Sequence, residues 1–270
     1  MKKLKVVIAG VTGRMGQALL EGVFADGALQ LHAALDRAES ALIGHDAGEQ
    51  FGKVTGVKVS SDIDAALQGA DVLVDFTRPE ASIHYLSACQ KANVKMVVGT
   101  TGFSEDEKAK IASAAKQIGI VFAPNMSVGV TLLINLVEQA AKVLSEGYDI
   151  EVVEMHHRHK VDAPSGTALR LGEAAAKGIN KALKDCAVYA REGVTGERET
   201  GTIGFATMRG GDVVGDHTVV LAGIGERVEL THKASSRATF ALGALRAAKF
   251  LTDKPTGLFD MRDVLGFAKD

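Results

Sequence analysis

Cysteine is nearly absent from this chain. Cys89 and Cys186 are the only two, far apart and in no CxxC spacing, so neither a disulfide framework nor a zinc knuckle is indicated, and reduced thiols in a cytoplasmic protein are expected. An excess of charge of either sign is also missing. Lys and Arg number 31 against 33 Asp and Glu, a formal net charge of −2, which offers nucleic acid or an anionic membrane no whole-surface field. Neither is expected as a partner. No stretch reaches the about 18 apolar residues a membrane helix needs, and the apolar run at 6–9 meets Gly10 too soon to act as a secretory core segment. No internal repeat or low-complexity tract is visible. What remains, 46% hydrophobic and 24% charged over 270 residues, suffices for packed cores and for two ordinary domains. The one surplus is glycine, at 30 residues, which implies many turns or close approaches of backbone to ligand.

Hydrophobic periodicity organises the chain. Leu4–Ala9 reads as a β-branched strand, Arg14–Ala25 as a helix stopped by Gly27, and Leu29–Leu35 as a second strand. Further strands are expected at 71–76, 95–98 and 120–122, with helices at 80–92 and 104–117 between them. Strands alternating with helices predict a doubly wound, Rossmann-type parallel sheet of the α/β class. Residues 37–70 are read only as a connection holding a short strand at 57–60.

The character changes after Asn125. An amphipathic helix at 129–144 leads to a strand at 149–155, a loop rich in histidine, and a helix starting near Ser165. Three β-prone stretches follow at 201–209, 212–222 and 226–232, separated by Gly210-Gly211 and by residues 223–225. Consecutive strands with tight turns predict a mainly antiparallel or mixed sheet in a second, α+β domain. The domains are expected at 1–126, completed by 237–270 with its helix at 237–251, and at 127–236. The boundaries near 125–129 and before Arg237 are candidate hinges.

Gly10-Val11-Thr12-Gly13-Arg14-Met15-Gly16 joins the first strand to the first helix as GxxGxxG, a variant of the dinucleotide fingerprint. Such glycines let backbone pass close to a pyrophosphate at a helix N-terminus, where free N–H groups and the macrodipole favour an anion. Asp36 ends the second strand 20 residues beyond Gly16, where an acid can accept from ribose hydroxyls. Arg37 beside it suits a 2′-phosphate. Phe76-Thr77-Arg78-Pro79 and Gly99-Thr100-Thr101-Gly102 each follow a predicted strand, on the sheet edge where ligands of this fold bind. Glycines that merely make tight turns are the competing reading.

The segment Glu154-Met155-His156-His157-Arg158-His159-Lys160-Val161-Asp162-Ala163-Pro164-Ser165-Gly166-Thr167 holds three of the eight histidines. A metal site is disfavoured, because Arg158 and Lys160 would repel a divalent ion and no matching ligand spacing accompanies the imidazoles. A solvated basic loop stays open. The third reading is a site for an anionic substrate, with imidazoles moving protons and a lysine supplying charge. Ser165 is a good N-cap, and N–H groups of Gly166 and Thr167 behind it would receive a carboxylate.

GVTGRMG, DFTRP, GTTGF and above all EMHHRHKVDAPSGTAL, in one order, make the chain resemble the dihydrodipicolinate (4-hydroxy-tetrahydrodipicolinate) reductase family. The resemblance runs on through Gly201–Phe205 and His232–Arg237. It implies an enzyme of lysine and diaminopimelate biosynthesis that uses NADH or NADPH to reduce 4-hydroxy-tetrahydrodipicolinate to tetrahydrodipicolinate with loss of water. By the same resemblance His156 is proton donor and acceptor, Lys160 proton donor, and His157, Gly166 and Thr167 bind the dicarboxylate substrate. Gly10, Val11, Thr12, Gly13, Arg14, Met15, Asp36, Arg37, Gly99, Thr100, Thr101, Ala123, Pro124, Asn125 and Met126 would meet the cofactor. The family is similar in forming homotetramers through its C-terminal sheets. Some relatives carry Glu where this chain has Asp36, a shorter side chain that leaves NADH against NADPH preference open. The alternatives are another two-domain NAD(P)-dependent dehydrogenase of amino-acid metabolism and a dinucleotide-sensing protein without turnover.

Overall fold

In the computed structural model, which describes residues 2–267, the elements run β1 (Leu4–Ala9), α1 (Arg14–Ala25), β2 (Leu29–Leu35), β3 (Val59–Ser60), α2 (Ile63–Leu67), β4 (Val72–Asp75), α3 (Pro79–Ala92), β5 (Lys95–Val98), α4 (Glu105–Ala114) and β6 (Gly119–Phe122). Then come α5 (Val128–Val143), β7 (Asp149–His156), α6 (Gly166–Gly178), β8 (Ala187–Val188), β9 (Ile203–Arg209), β10 (Gly215–Ala222) and β11 (Arg227–Ala234). Last are α7 (Ala238–Phe250), β12 (Gly257–Phe259) and α8 (Met261–Leu265). The chain divides into two compact units, Met1–Val128 with Arg237–Asp270, and Gly129–Ser236.

The first unit is built on a seven-stranded sheet in the order β12-β6-β5-β4-β1-β2-β3. Every pairing in it is parallel. Strand side chains alternate between faces, and β1 shows why its sequence from Val6 to Ala9 is an unbroken apolar run. Val6 and Ile8 join a core with Leu19, Leu20 and Val23 of α1 and Ala244, Leu245 and Ala248 of α7. Val7 and Ala9 point into a second core with Tyr85, Leu86 and Cys89 of α3 and Ile111 of α4. Helices on both faces require strands apolar on both sides.

Helix α7 reaches this unit from the far end of the chain. Gly22 lets it lie close to α1, since a Cβ there would stand 2.6 Å from Leu245 Cδ1, and Lys249 pairs with Asp26 across the two helices. At Gly243 a Cβ would meet the Met126 carbonyl oxygen at 1.7 Å. Backbone on both sides leaves nothing to move. Gly243→Ala is therefore expected to destabilise the first unit by about 1–3 kcal/mol, as overpacking does, read as a lower denaturant midpoint; an unchanged midpoint would refute this packing.

The 37–70 connection holds more order than its sequence suggests. Its strand is β3, and it adds a 3₁₀ turn at Glu49–Phe51 and the five-residue α2. Asp62 caps α2 by accepting from Ala65 N–H at 2.9 Å, and the Asp46 carboxylate gathers Gly48, Thr55 and Gly56 N–H groups around itself. Short elements held by side-chain carboxylates in and beside them carry no periodicity to detect.

The second unit has a mixed five-stranded sheet, β11-β10-β7-β9-β8. β10 pairs antiparallel with β11 and β7, whereas β9 runs parallel to β7 and β8. The expected β9–β10 hairpin does not form, because β7 lies between them. The chain after β7 is clasped by the connecting loop instead: His157 N–H donates to Val213 O at 2.7 Å and Gly210 N–H to His156 O at 2.9 Å. One sheet face is covered by α5 and α6, where Ile150, Val152, Phe205, Val219 and Leu221 pack against Leu133, Val137, Ala168 and Leu171. The other face carries Val153, Met155, Ala206, Met208, Thr218 and Val220, half-buried or exposed.

Candidate active site

In a parallel sheet all strands end on one edge, and the order reverses between β1 and β4, where ligands of such sheets bind. Gly10 follows β1 with φ +71°, a left-handed conformation that glycine adopts without strain. Gly16 serves close packing, since a Cβ there would stand 2.1 Å from Gly10 O. Helix α1 then starts at Gly13 with no side-chain cap and no acid in its first turn. Such a helix end suits a phosphate, its first N–H groups and dipole having no side-chain anion of their own. Thr12, Gly13 and Arg14 are exposed and Met15 half-buried, while Val11 is buried in the core and can offer a ligand only backbone.

Asp36 is buried at the end of β2. Its Oδ2 accepts from Thr12 N–H at 2.8 Å and its Oδ1 from Arg37 N–H at 2.9 Å, so it braces the glycine turn, and Arg37 beside it is exposed. After β5, Gly99 leaves room for the Phe76 ring, which a Cβ would meet at 2.2 Å. Thr100 turns inward and donates to Asp75 at 3.4 Å, while Thr101 is exposed. After β6, Ala123 and Met126 are buried, Pro124 is exposed, and Asn125 Oδ1 accepts from Ser127 N–H at 2.8 Å.

Asp75 was not singled out by sequence. Fully buried at the end of β4, it accepts from Thr77 N–H at 2.9 Å, from Thr77 Oγ1 at 2.6 Å, and from Ser82. Burial pushes its carboxyl up, and these bonds only partly offset that. It ties the turns after β4 and β5 together. Burial also pushes the nearby Cys89 thiol up to about 12, which removes it as a nucleophile.

In the second unit the site follows from the pleat. Ile150 and Val152 of β7 face the helices, so Glu154 and His156, two and four residues on, continue the same face. In β10 the inward set is Gly215, His217, Val219 and Leu221, and His217 lies opposite Glu154 in register. Each apolar stripe thus ends in polar groups at one end of the sheet, beside the start of α6. Glu154 Oε2 accepts from His156 Nδ1 at 2.6 Å and its Oε1 from Ser165 N–H at 3.0 Å. Arg209 Nη1 and Nη2 donate to the same carboxylate at 2.8 and 3.0 Å. Burial alone would raise Glu154, but Arg209, His156 and Ser165 outweigh it and hold its pKa below the ordinary value.

Ser165 Oγ accepts from Ala168 N–H at 3.1 Å, capping α6, and lies 2.9 Å from His217 Nε2. Gly166 is exposed, and a Cβ on it would meet nothing within 4 Å. Thr167 is half-buried in the same first turn. Lys160 Nζ pairs with Asp162 at 2.8 Å, and the His157 and His159 rings lie 6.1 Å apart. The structure thus joins His156 to the start of α6 through Glu154, Arg209 and His217, none of which sequence reasoning had picked. Among the described residues no group of three His, Cys, Asp or Glu is placed to hold a metal, and no helix is long and apolar enough to cross a membrane.

The His217 ring stands 5.0 Å from that of His156. Burial, reinforced by His156, pushes its pKa down to about 4 from 6.5. The unfolded chain takes up this proton near 6.5 and the folded chain only near 4, so stability is intact above the window and is lost as pH falls through it. At about 1.4 kcal/mol per unit the loss is on the order of 3 kcal/mol. Melting temperatures at about pH 7 and about pH 4.5 are expected to differ more in the wild type than in His217→Gln. Equal differences would refute this origin.

Comparison with known proteins agrees with this architecture. A family model described as dihydrodipicolinate reductase, N-terminus, matches residues 4–126, and one described as dihydrodipicolinate reductase, C-terminus, matches residues 129–265. A 4-hydroxy-tetrahydrodipicolinate reductase from Thiobacillus denitrificans is 64% identical over 263 residues, covering 97% of this chain and 98% of its own. One from Laribacter hongkongensis is 63% identical over 266 residues, covering 98% and 99%. Among solved structures, the dipicolinate-bound dihydrodipicolinate reductase from Paenisporosarcina sp. TG-14 shares the fold with a TM-score of 0.77 at 24% identity, covering 96% of this chain and 97% of its own. With family models spanning both of its units and relatives above 60% identity along nearly its whole length, this chain belongs to the dihydrodipicolinate reductase family.

Proposed function

We propose that this protein reduces 4-hydroxy-tetrahydrodipicolinate to tetrahydrodipicolinate with loss of water, at the expense of NADH or NADPH, in lysine and diaminopimelate biosynthesis. The observation that carries the reading is the full-length identity to reductases of that name. Family models of this one reductase over both units, with identities above 60%, favour this reading over other two-domain dehydrogenases.

The first unit fits a dinucleotide. The turn Gly10–Met15 and the uncapped start of α1 would hold its pyrophosphate and Asp36 and Arg37 its ribose, with Gly99, Thr100, Thr101 and residues 123–126 along the same edge. When bound, the reduced nicotinamide supplies the hydride. The chain's own residues do the rest. The substrate dianion docks on the N-terminus of α6 at Gly166 and Thr167, with His157 beside it. Lys160 offsets the negative charge that develops as water leaves and C4 is reduced, and delivers a proton. Glu154 occupies His156 Nδ1, so Nε2 is the nitrogen that moves protons at the substrate.

Arg37 is exposed at the end of β2, where its charge suits a 2′-phosphate. Arg37→Ala is expected to raise the KM for NADPH by about tenfold and that for NADH by less than about twofold, the loss of one charge-assisted contact. Equal effects on both would remove Arg37 from phosphate recognition. Substrate-dependent oxidation of NADH or NADPH by the purified chain tests the activity itself, and its absence would leave the sensing protein as the better reading.

The sheet face bearing Val153, Met155, Ala206 and Met208 supports homotetramers formed through the second unit, and sedimentation at a single subunit mass would contradict them. The free, buried thiols Cys89 and Cys186 support a reducing compartment, the cytoplasm.

A further inference from the structure

Glu154 is buried, ionised and shared. One of its oxygens holds the His156 imidazole, the other holds the first backbone N–H at the cap of α6, and Arg209 bridges both oxygens while donating a further bond to Asp162 O at 2.6 Å. We propose that Glu154 is the positioning residue of the active site, fixing the tautomer of His156 and its placement against the anion-receiving end of α6, with Arg209 orienting the carboxylate. The assignment rests on the proton-handling role given to His156 above.

Hydrogen-bonding capacity makes the role specific to a carboxylate. Four donors converge on Glu154: His156 Nδ1–H, Ser165 N–H and two from Arg209. A carboxylate has about four acceptor sites and no hydrogen of its own, so all four are satisfied. With His156 Nδ1 protonated, Nε2 is bare in the neutral ring. That nitrogen takes no partner among the described residues and lies over Gly215, where a Cβ would come within 3.0 Å of it. Gly215 keeps the space beside it clear.

A glutamine in this place has one oxygen and an NH2 group that only donates. Arg209 and Ser165 N–H cannot accept from that NH2. Among the groups bonded to Glu154 only a bare His156 Nδ1 can, so the amide turns its nitrogen to the imidazole and its oxygen to Ser165. Glu154→Gln thus moves the His156 proton to Nε2, with Arg209 Nη1 losing its acceptor at that position and turning away, and the nitrogen meant to receive a proton becomes a donor. A wrong tautomer removes the group from general acid–base work, which is worth about 10²–10⁴-fold.

Two-bond proton–nitrogen NMR correlations on protein labelled at its histidines, with His156 assigned by the loss of its signals in His156→Gln, read the tautomer directly. The Nδ1–H pattern is expected in the wild type and the Nε2–H pattern in Glu154→Gln. Steady-state kinetics on the same protein should show kcat down by at least about 10²-fold with the KM for NADPH changed by less than about twofold. Should the single variant not fold, Glu154→Gln with Arg209→Met buries no unpaired charge and predicts the same Nε2–H pattern. Arg209→Met alone breaks the ion pair but leaves a carboxylate on Nδ1, and is expected to keep the Nδ1–H pattern. An unchanged tautomer in Glu154→Gln, or a changed one with wild-type kcat, overturns the proposal. Because the tautomer is read in the resting protein, it stands or falls separately from the reaction: a wild type that never consumes NADPH refutes the proposed function, not this geometry.

Discussion

Replacing His156 by glutamine is expected to lower kcat by about 10²–10⁴-fold while the dissociation constant for NADPH stays within about twofold of the wild type. The asymmetry follows from where the residue sits. His156 ends β7 in the second unit, whereas the glycine turn, Asp36 and the uncapped α1 belong to the first. Removing a proton-transfer group deletes an interaction made as bonds change, and nothing on the phosphate cradle changes with it. The substitution is also mild for the fold, because a glutamine amide can still donate to Glu154 in place of Nδ1–H. Stopped-flow turnover and equilibrium fluorescence titration of NADPH separate the two quantities. Near-normal turnover in the variant would remove His156 from the chemistry.

Placing an acid at the start of α6 is expected to act in the opposite way, on substrate binding and without loss of stability. Gly166 has open space where a Cβ would go, follows the Ser165 cap, and occupies a first turn that holds no acidic residue of its own. A carboxylate there interacts favourably with the helix dipole, by about 0.3–1 kcal/mol. It also fills the position proposed for a substrate carboxylate with like charge, a juxtaposition that costs several kcal/mol. Gly166→Asp should therefore raise the substrate KM by about 10²-fold or more, with a melting temperature equal to or above that of the wild type. A variant that is stable and retains ordinary substrate affinity would show that the dianion docks elsewhere.

Most of the fold was legible because its signals are local. Mostly buried strands read as short, largely apolar runs, and Leu4–Ala9, Leu29–Leu35 and Lys95–Val98 have the bounds expected of them. The helix over Arg14–Ala25 shows its periodicity plainly. Pairing between strands is not local. Gly210-Gly211 reads as a hairpin turn, yet the strands on either side of it flank β7, placed there by a segment some 50 residues earlier in the chain.

The same limit governs the side chains around His156. The EMHHRHK segment draws attention by composition, but Arg209 meets Glu154 across 55 residues and His217 meets Ser165 across 52. One signal was present and passed over. In β7 the inward positions run Ile150, Val152, Glu154, His156, and in β10 they run Leu221, Val219, His217 toward the same end. A polar residue that continues the inward register of an apolar stripe must be hydrogen-bonded when buried, and two such residues on neighbouring strands mark a built network. Asp75 offered a comparable sign, a carboxylate closing an otherwise apolar strand two residues before Thr77. Such aspartates bind their own following turn.

The account centres on a reduction at C4 of a dicarboxylate ring whose hydroxyl has left as water, with the electrons coming from reduced nicotinamide. It is tested most directly by incubating the purified chain with 4-hydroxy-tetrahydrodipicolinate and NADPH deuterated at the transferable position, and analysing the product by mass spectrometry and NMR. The account predicts tetrahydrodipicolinate carrying one deuterium, at C4, with one oxygen fewer than the substrate. Deuterium at any other carbon, or oxidation of NADPH that proceeds without the substrate and labels nothing, would contradict it.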